Sequence, residues 1–260
     1  MATGKRLYDN AFPASDSGLQ QPRPPTKLHI NGSDSIDRPA SPAPPSINIW
    51  RLKSLPHQYS IRLLKLHGGP FEAPLEGNLI IRNGKEEYEA LSYTWGDEKE
   101  SKPLRLINSD DVHVIMLTTN LEAALRHLRH PKTVRLLWID ALCIDQGNHQ
   151  EKNKQVPRMA TIYNEATNVC VWLGEEHNNS ERALIFIKRV LDLAVLDGLT
   201  RDADSVRDWN ALWNVMRRPW FSRRWVVQEI ALARKATIHC GGSFVRWQDF
   251  ANAVALFSSR

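Results

Sequence analysis

The chain predicts an α/β fold built on a mostly parallel central sheet flanked by helices, with additional antiparallel hairpins. Three observations carry that expectation. From residue 119 to 173 helical and extended rhythms alternate, the pattern of parallel βαβ units. Between residues 79 and 116, short apolar runs are separated by turn signals such as Asn83-Gly84, the pattern of hairpins. The run Leu136-Leu137-Trp138-Ile139 has the length of a buried strand and gives way at Asp140 to a stretch ending in Asp145-Gln146. Polar groups at the carboxyl end of such a strand border the crevice where ligands bind in open α/β sheets.

Taken in order, residues 1–48 hold eight of the fifteen prolines and few apolar side chains, so they read as a disordered, proline-rich tail. Order is expected from Ile49, in a single domain over 49–260. Gln58 to Leu66 reads as a strand ended by Gly68-Gly69-Pro70, and Leu79 to Arg82 as a short strand entering an Asn83-Gly84 hairpin turn. Tyr88 to Trp95 is a further strand that closes on Gly96-Asp97. Leu104–Ile107 and Val112–Met116 pair in expectation around Asn108–Asp111.

Thr119 with Glu122 matches a capping box, and Leu121, Ala124, Leu125 and Leu128 form an apolar helical stripe ended by Pro131. The strand over 134–139 follows. Proline is tolerated only near a helix start, so Pro157 places the next helix's amino end near residue 156. Asn168 to Leu173 is a strand stopped by Gly174. Ser180 to Leu196 reads as one helix stopped by Asp197-Gly198, with a second around 205–216. Ser222 caps a third helix through Ala233 in this reading. Ala236–Cys240 is a strand, Gly241-Gly242 a turn, and Trp247–Phe257 a final helix.

Composition bounds the function. With 34 basic and 29 acidic residues the net charge is +5, and no basic run or zinc-finger spacing points to a specific nucleic-acid surface. Three cysteines, Cys143, Cys170 and Cys240, lie far apart in apolar surroundings, which argues for a reducing compartment over a disulfide framework. The amino terminus has no signal-peptide core and no segment has the roughly 18 apolar residues of a membrane span, so a cytoplasmic location is expected. There is no G-x-G-x-x-G and no P-loop. Cys143 and His149 as a nucleophile–base pair have no visible orienting partner, and Asp140 with Asp145 are too few carboxylates for a magnesium site.

Three segments gather polar groups beside glycine and aromatic residues. They are Tyr88-Glu89-Ala90-Leu91-Ser92-Tyr93-Thr94-Trp95-Gly96-Asp97, the stretch from Leu136 to Gln146 continuing to Val171-Trp172-Leu173-Gly174, and Arg218-Pro219-Trp220-Phe221-Ser222-Arg223-Arg224-Trp225-Val226-Val227-Gln228-Glu229. In type, order and spacing these blocks resemble the fungal heterokaryon-incompatibility (HET) domain over roughly residues 88 to 242. The departures are small: Ile144-Asp145-Gln146 stands where the family commonly has Ile-Asn-Gln, and Pro157-Arg158 precede Met159 in place of Gln-Val. The resemblance implies an effector in fungal non-self recognition and regulated cell death. It also implies an amino-terminal position in a longer protein, with a regulatory domain supplied elsewhere. The family is distantly similar to the Toll/interleukin-1 receptor (TIR) domain, a flavodoxin-like fold. Some TIR domains hydrolyse NAD at the nicotinamide–ribose bond, and others only assemble.

Under that resemblance Glu229 is the candidate catalytic residue. With Trp225 it forms a Trp-x-x-x-Glu pair on one helical face, and a carboxylate is what an oxocarbenium-like centre needs for stabilisation. Tyr93 and Trp95 are candidates for stacking on nicotinamide or adenine, Asp97, Asp140 and Asp145 for ribose hydroxyls, and Arg218 and Arg224 for pyrophosphate. Each has a plainer reading: the aromatics as packing, the aspartates as turn residues and caps, Glu229 as the partner of a nearby arginine. NAD enters as substrate, with no permanently bound cofactor. The alternative to an enzyme is a signalling module that works by self-association or by binding a protein partner.

Overall fold

The structure, a computed structural model, describes residues 52–96, 100–108, 111–202, 205–223 and 226–258. The tail expected at 1–48 lies outside them. The strands are β1 (Arg62–Leu66), β2 (Leu75–Ile81), β3 (Glu89–Tyr93), β4 (Ser101–Ile107), β5 (Val112–Thr118), β6 (Arg135–Trp138), β7 (Asn168–Trp172), β8 (Ala236–Cys240) and β9 (Ser243–Arg246). The helices are α1 (Thr119–Leu128), α2 (Asp140–Cys143), α3 (His149–Gln155), α4 (Met159–Glu165), α5 (Ser180–Val190), α6 (Leu193–Arg201), α7 (Val206–Met216), α8 (Val226–Ala231) and α9 (Trp247–Ser258).

Among the described residues one nine-stranded sheet runs β5-β4-β2-β1-β6-β3-β7-β8-β9. The α/β class is as expected, but the mostly parallel sheet is not. Pairs β2–β4, β3–β6, β3–β7 and β7–β8 are parallel. Pairs β1–β2, β1–β6, β4–β5 and β8–β9 are antiparallel and include the longest register, seven residues from Ser101↔Thr118 to Ile107↔Val112. The hairpins are therefore not an addition beside the sheet. β1 inserts antiparallel against β6, with Leu64 opposite Leu137, and fuses both parts into one surface. Its Leu63, Leu64 and Leu66 are all buried, as a strand covered on both faces requires. The parallel block β6-β3-β7-β8 has, by chain order, the arrangement 2-1-3-4.

Several local expectations change. Asn83-Gly84 does make a turn, with Gly84 at φ +95°, but β2 and β3 are not neighbours, so it joins distant strands instead of a hairpin. α1 is capped by Thr118, whose hydroxyl accepts from Leu121 N at 3.4 Å, while Glu122 is drawn to Arg126. The helix expected over 180–196 breaks after Val190. Asp192 caps a new helix by accepting from Ala194 N at 3.0 Å, and that helix passes through Gly198 to Arg201. Pro157 sits in a 3₁₀ turn, Val156–Arg158, that links α3 to α4. Ser222 closes the 3₁₀ turn Pro219–Ser222 by donating to Pro219 O at 2.7 Å, and α8 starts later, at Val226.

All three cysteines are buried free thiols, and burial pushes Cys143 and Cys170 each up to about 12, which removes the thiolate a nucleophile needs. No helix among the described residues is long and apolar enough to cross a membrane.

Acid should loosen this fold early. Burial, with Arg135 nearby, pushes His239 from 6.5 down to about 4, so the unfolded chain binds a proton that the native state refuses. Glu89 acts in the same direction. Its burial is outweighed by hydrogen bonds from Arg135, Asn168 and Cys170 that hold its carboxyl low, stabilisation lost as pH falls through the native value. Thermal midpoints are expected to fall steadily between about pH 6.5 and 4. His239→Asn should flatten that slope, and an unchanged slope would assign the acid lability to other groups.

Candidate functional site

The site forms where the carboxyl ends of β3 and β6 meet the chain over 219–229. β3 is buried along most of its length, yet carries Ser92 next to its carboxyl end, and a buried hydroxyl needs partners. It has two. Ser92 Oγ donates to Glu229 Oε2 and accepts from Trp220 Nε1 at 2.8 Å. Trp220 is 1% exposed and packed edge-on to Phe221 at 5.1 Å, so its indole is held to that bond.

Glu229, on α8, is 2% exposed. Burial raises its pKa, while the Ser92 bond and the Arg223 guanidinium oppose the rise. Arg223 Nη2 lies 3.8 Å from Oε1, and Nη1 of the same guanidinium is buried with no hydrogen-bond partner among the described residues. Asp140 opens α2 at the end of β6. Burial raises its pKa too, against a bond from Trp95 Nε1 to Oδ2 at 3.1 Å and one from Ala141 N to Oδ1 at 2.8 Å. Two carboxyls with raised pKa values thus sit within electrostatic reach of each other, with Arg223 between them in charge. Perturbed carboxyls grouped at strand ends are what functional sites accumulate.

The other candidates divide. Tyr93 and Trp95 line an apolar cavity of about 330 Å³ with Leu117, Leu121, Leu142 and Gln146. Trp95 is 42% exposed and Tyr93 is buried. Asp145 acts as a turn residue: Oδ1 accepts from Gly147 N at 3.1 Å and its carbonyl from Asn148 N at 3.1 Å. Arg218 is buried, and its Nη1 donates to the carbonyls of Leu173 and Glu175, each at 2.9 Å, while Nη2 donates to His177 O at 3.2 Å. It clamps the chain after β7, where Gly174 at φ +103° leaves room for the guanidinium. Asp97, Arg224 and Trp225 lie outside the described residues, so the proposed Trp225–Glu229 face has only Glu229 placed.

Ser92, Trp220 and Asn120 were not singled out from the sequence. A lone serine inside a strand of otherwise buried side chains was the available signal for Ser92. Asn120 gave none: its amide donates to Thr94 O at 2.6 Å and accepts from Trp172 Nε1 at 2.9 Å, tying the end of β3 to the end of β7.

Fold and site together define an α/β domain with a mixed sheet whose parallel block carries a buried carboxylate group at its carboxyl edge. The heterokaryon incompatibility protein (HET) family model matches residues 88–229, and the chain belongs to that family. It is 31% identical over 195 residues to "Heterokaryon incompatibility protein 6, OR allele" of Neurospora crassa, covering 59% of this chain and 28% of that protein. It is 24% identical over 143 residues to "Vegetative incompatibility protein HET-E-1" of Podospora anserina, covering 55% of this chain and 9% of that protein. The chain thus spans well under a third of these relatives' lengths. No solved structure matches it at a significant level.

Proposed function

We propose that this domain is an effector of fungal non-self recognition and regulated cell death. One observation carries the reading: the family match over residues 88–229 begins and ends on blocks that meet in space, at Ser92, Trp220 and Glu229. Both relatives bear incompatibility in their names. For chemistry, the reading is hydrolysis of NAD at the nicotinamide–ribose bond, with NAD as substrate. The 2-1-3-4 order of the parallel block is that of flavodoxin-like sheets, which supports the distant similarity to TIR domains.

In this reading nicotinamide leaves as a neutral ring with the bonding pair, water oxygen bonds the anomeric carbon, and one proton is released. Glu229 is the carboxylate that meets the positive charge developing at that carbon. Burial alone favours its protonated form. The Ser92 bond and Arg223 favour its charged form, and a pyridinium brought alongside does the same.

A second reading has its own support. Glu229 is 2% exposed, faces Arg223 at 3.8 Å and is not among the residues lining the cavity beside Tyr93. That closure suits a structural carboxylate in a module that works by self-association. The edge strand β5 exposes Val112, Val114 and Met116 along one face, as a pairing edge would.

The deciding experiment follows nicotinamide release from NAD by purified wild type and Glu229→Gln. The enzymatic reading expects release by wild type, reduced by about 100-fold or more in the variant. Glutamine keeps the side chain's shape and an acceptor for Ser92, so the variant's thermal midpoint is expected within about 4 °C of wild type. No release from folded wild type, with mass rising as concentration rises in light scattering, would replace the enzyme with the assembly module.

A further inference from the structure

We infer that the cavity walled by β3, β5, α1 and α2 is a binding site for an adenine ring. The inference rests on the NAD reading for its ligand and adds where one of NAD's two rings would sit.

The cavity of about 330 Å³ falls at the lower end of small-molecule sites, which run about 300–1,000 Å³, and is too small for a folded protein segment. Its floor is aliphatic, from Leu117, Leu121 and Leu142, all buried. Its rim is the half-exposed indole of Trp95. Such a surface stacks well on a flat ring, and here the indole is already oriented by the 3.1 Å bond from Nε1 to Asp140, so little freedom is lost on binding.

Charge narrows the ligand. None of the described lining residues is a lysine, arginine, aspartate or glutamate, so the described walls set no charge against a phosphate or a pyridinium ring. Asp140, bonded to the Trp95 rim, accepts through both oxygens, from Trp95 and from Ala141 N. Beside the hydroxyls of Ser101 and Thr118, the polar handle is the amide of Gln146. Its Nε2 donates to Asp140 O at 2.9 Å, which fixes the amide and leaves Oε1 as the acceptor it can present. An uncharged flat heterocycle with an exocyclic N–H₂ fits those terms, and in NAD that is adenine. The charged nicotinamide ring is left for the carboxylate end of the site.

The test measures adenosine and inosine binding by calorimetry and ligand-observed NMR. Inosine replaces the exocyclic amine with a carbonyl and carries its donor on N1 instead, so Gln146 Oε1, placed for the amine, meets an acceptor. Wild type is expected to bind adenosine about tenfold or more tightly than inosine, a gap worth about 1.4 kcal/mol per decade. That gap should vanish in Gln146→Leu. Leu142→Trp fills the floor and should weaken adenosine by at least about tenfold; Ala141→Leu narrows the same space from the half-buried side and serves if the tryptophan variant fails to fold. No adenosine binding, or binding indifferent to both filling variants, overturns the inference. Adenosine binding without NAD turnover leaves the cavity assignment standing and removes the hydrolase. NAD turnover with an unchanged KM in the filling variants does the reverse.

Discussion

Replacing Arg62 with methionine is expected to lower the free energy of unfolding by about 3–5 kcal/mol. Arg62 is 2% exposed on β1, and its guanidinium meets Glu151 with both ends, Nη1 to Oε1 and Nη2 to Oε2 at 2.9 Å. It also donates to the carbonyls of Lys53 and Cys143 at 2.6 and 3.0 Å. Glu151 in turn accepts from Asp145 N at 2.8 Å. One ion pair therefore anchors the backbone at Lys53, the end of α2 and the turn at Asp145. Removing the arginine strands a carboxylate that is only 10% exposed, and the loss of an isolated partner is what makes broken buried pairs costly. Denaturant titration checks it: the midpoint should fall with an unchanged slope, and Arg62→Met with Glu151→Leu should recover part of the loss. A single-variant loss below about 1 kcal/mol would place this pair with surface bridges.

Trp220→Ala should cost about 3–5 kcal/mol, because a fully buried indole leaves a void that Phe221 and Trp247 close only in part. Trp220→Phe keeps a buried ring but loses the donor to Ser92 and part of the indole's volume, so about 2–3 kcal/mol is expected. The phenylalanine variant carries the functional information. Without the indole N–H, Ser92 is less well oriented toward Glu229, and the carboxyl's pKa should rise further. In the hydrolase reading its NAD turnover then needs a higher pH to reach the wild-type rate. A pH profile that does not move would limit Trp220 to packing.

Much of the candidate site was legible because it is local. The β3 block, the Leu136–Gln146 stretch and the Pro219–Glu229 block each read as polar groups closing a buried element, and the structure brings Ser92, Asp140 and Glu229 to one end of the sheet. The Arg218 expectation misled because its charge suggested a phosphate. Burial instead pairs it with the carbonyls of Leu173, Glu175 and His177, and no local pattern reveals that. Thr118 caps α1 one residue before the expected Thr119, and Asp192 opens a helix inside a stretch expected to be continuous, distinctions made by backbone angles.

By itself, then, the sequence determined the α/β class, most strands and helices, the buried thiols and the family, since periodicity, turn residues and motif order are all written within short windows. Tertiary structure alone decided that the sheet is mixed, that Asn83-Gly84 joins strands that never pair, and that Glu229 is met by Ser92 across 137 residues. Strand order is chosen by which apolar faces bury most together. β1 could join β6 antiparallel only because its leucines point to both faces, a preference that exists in the folded core and nowhere in the strand alone.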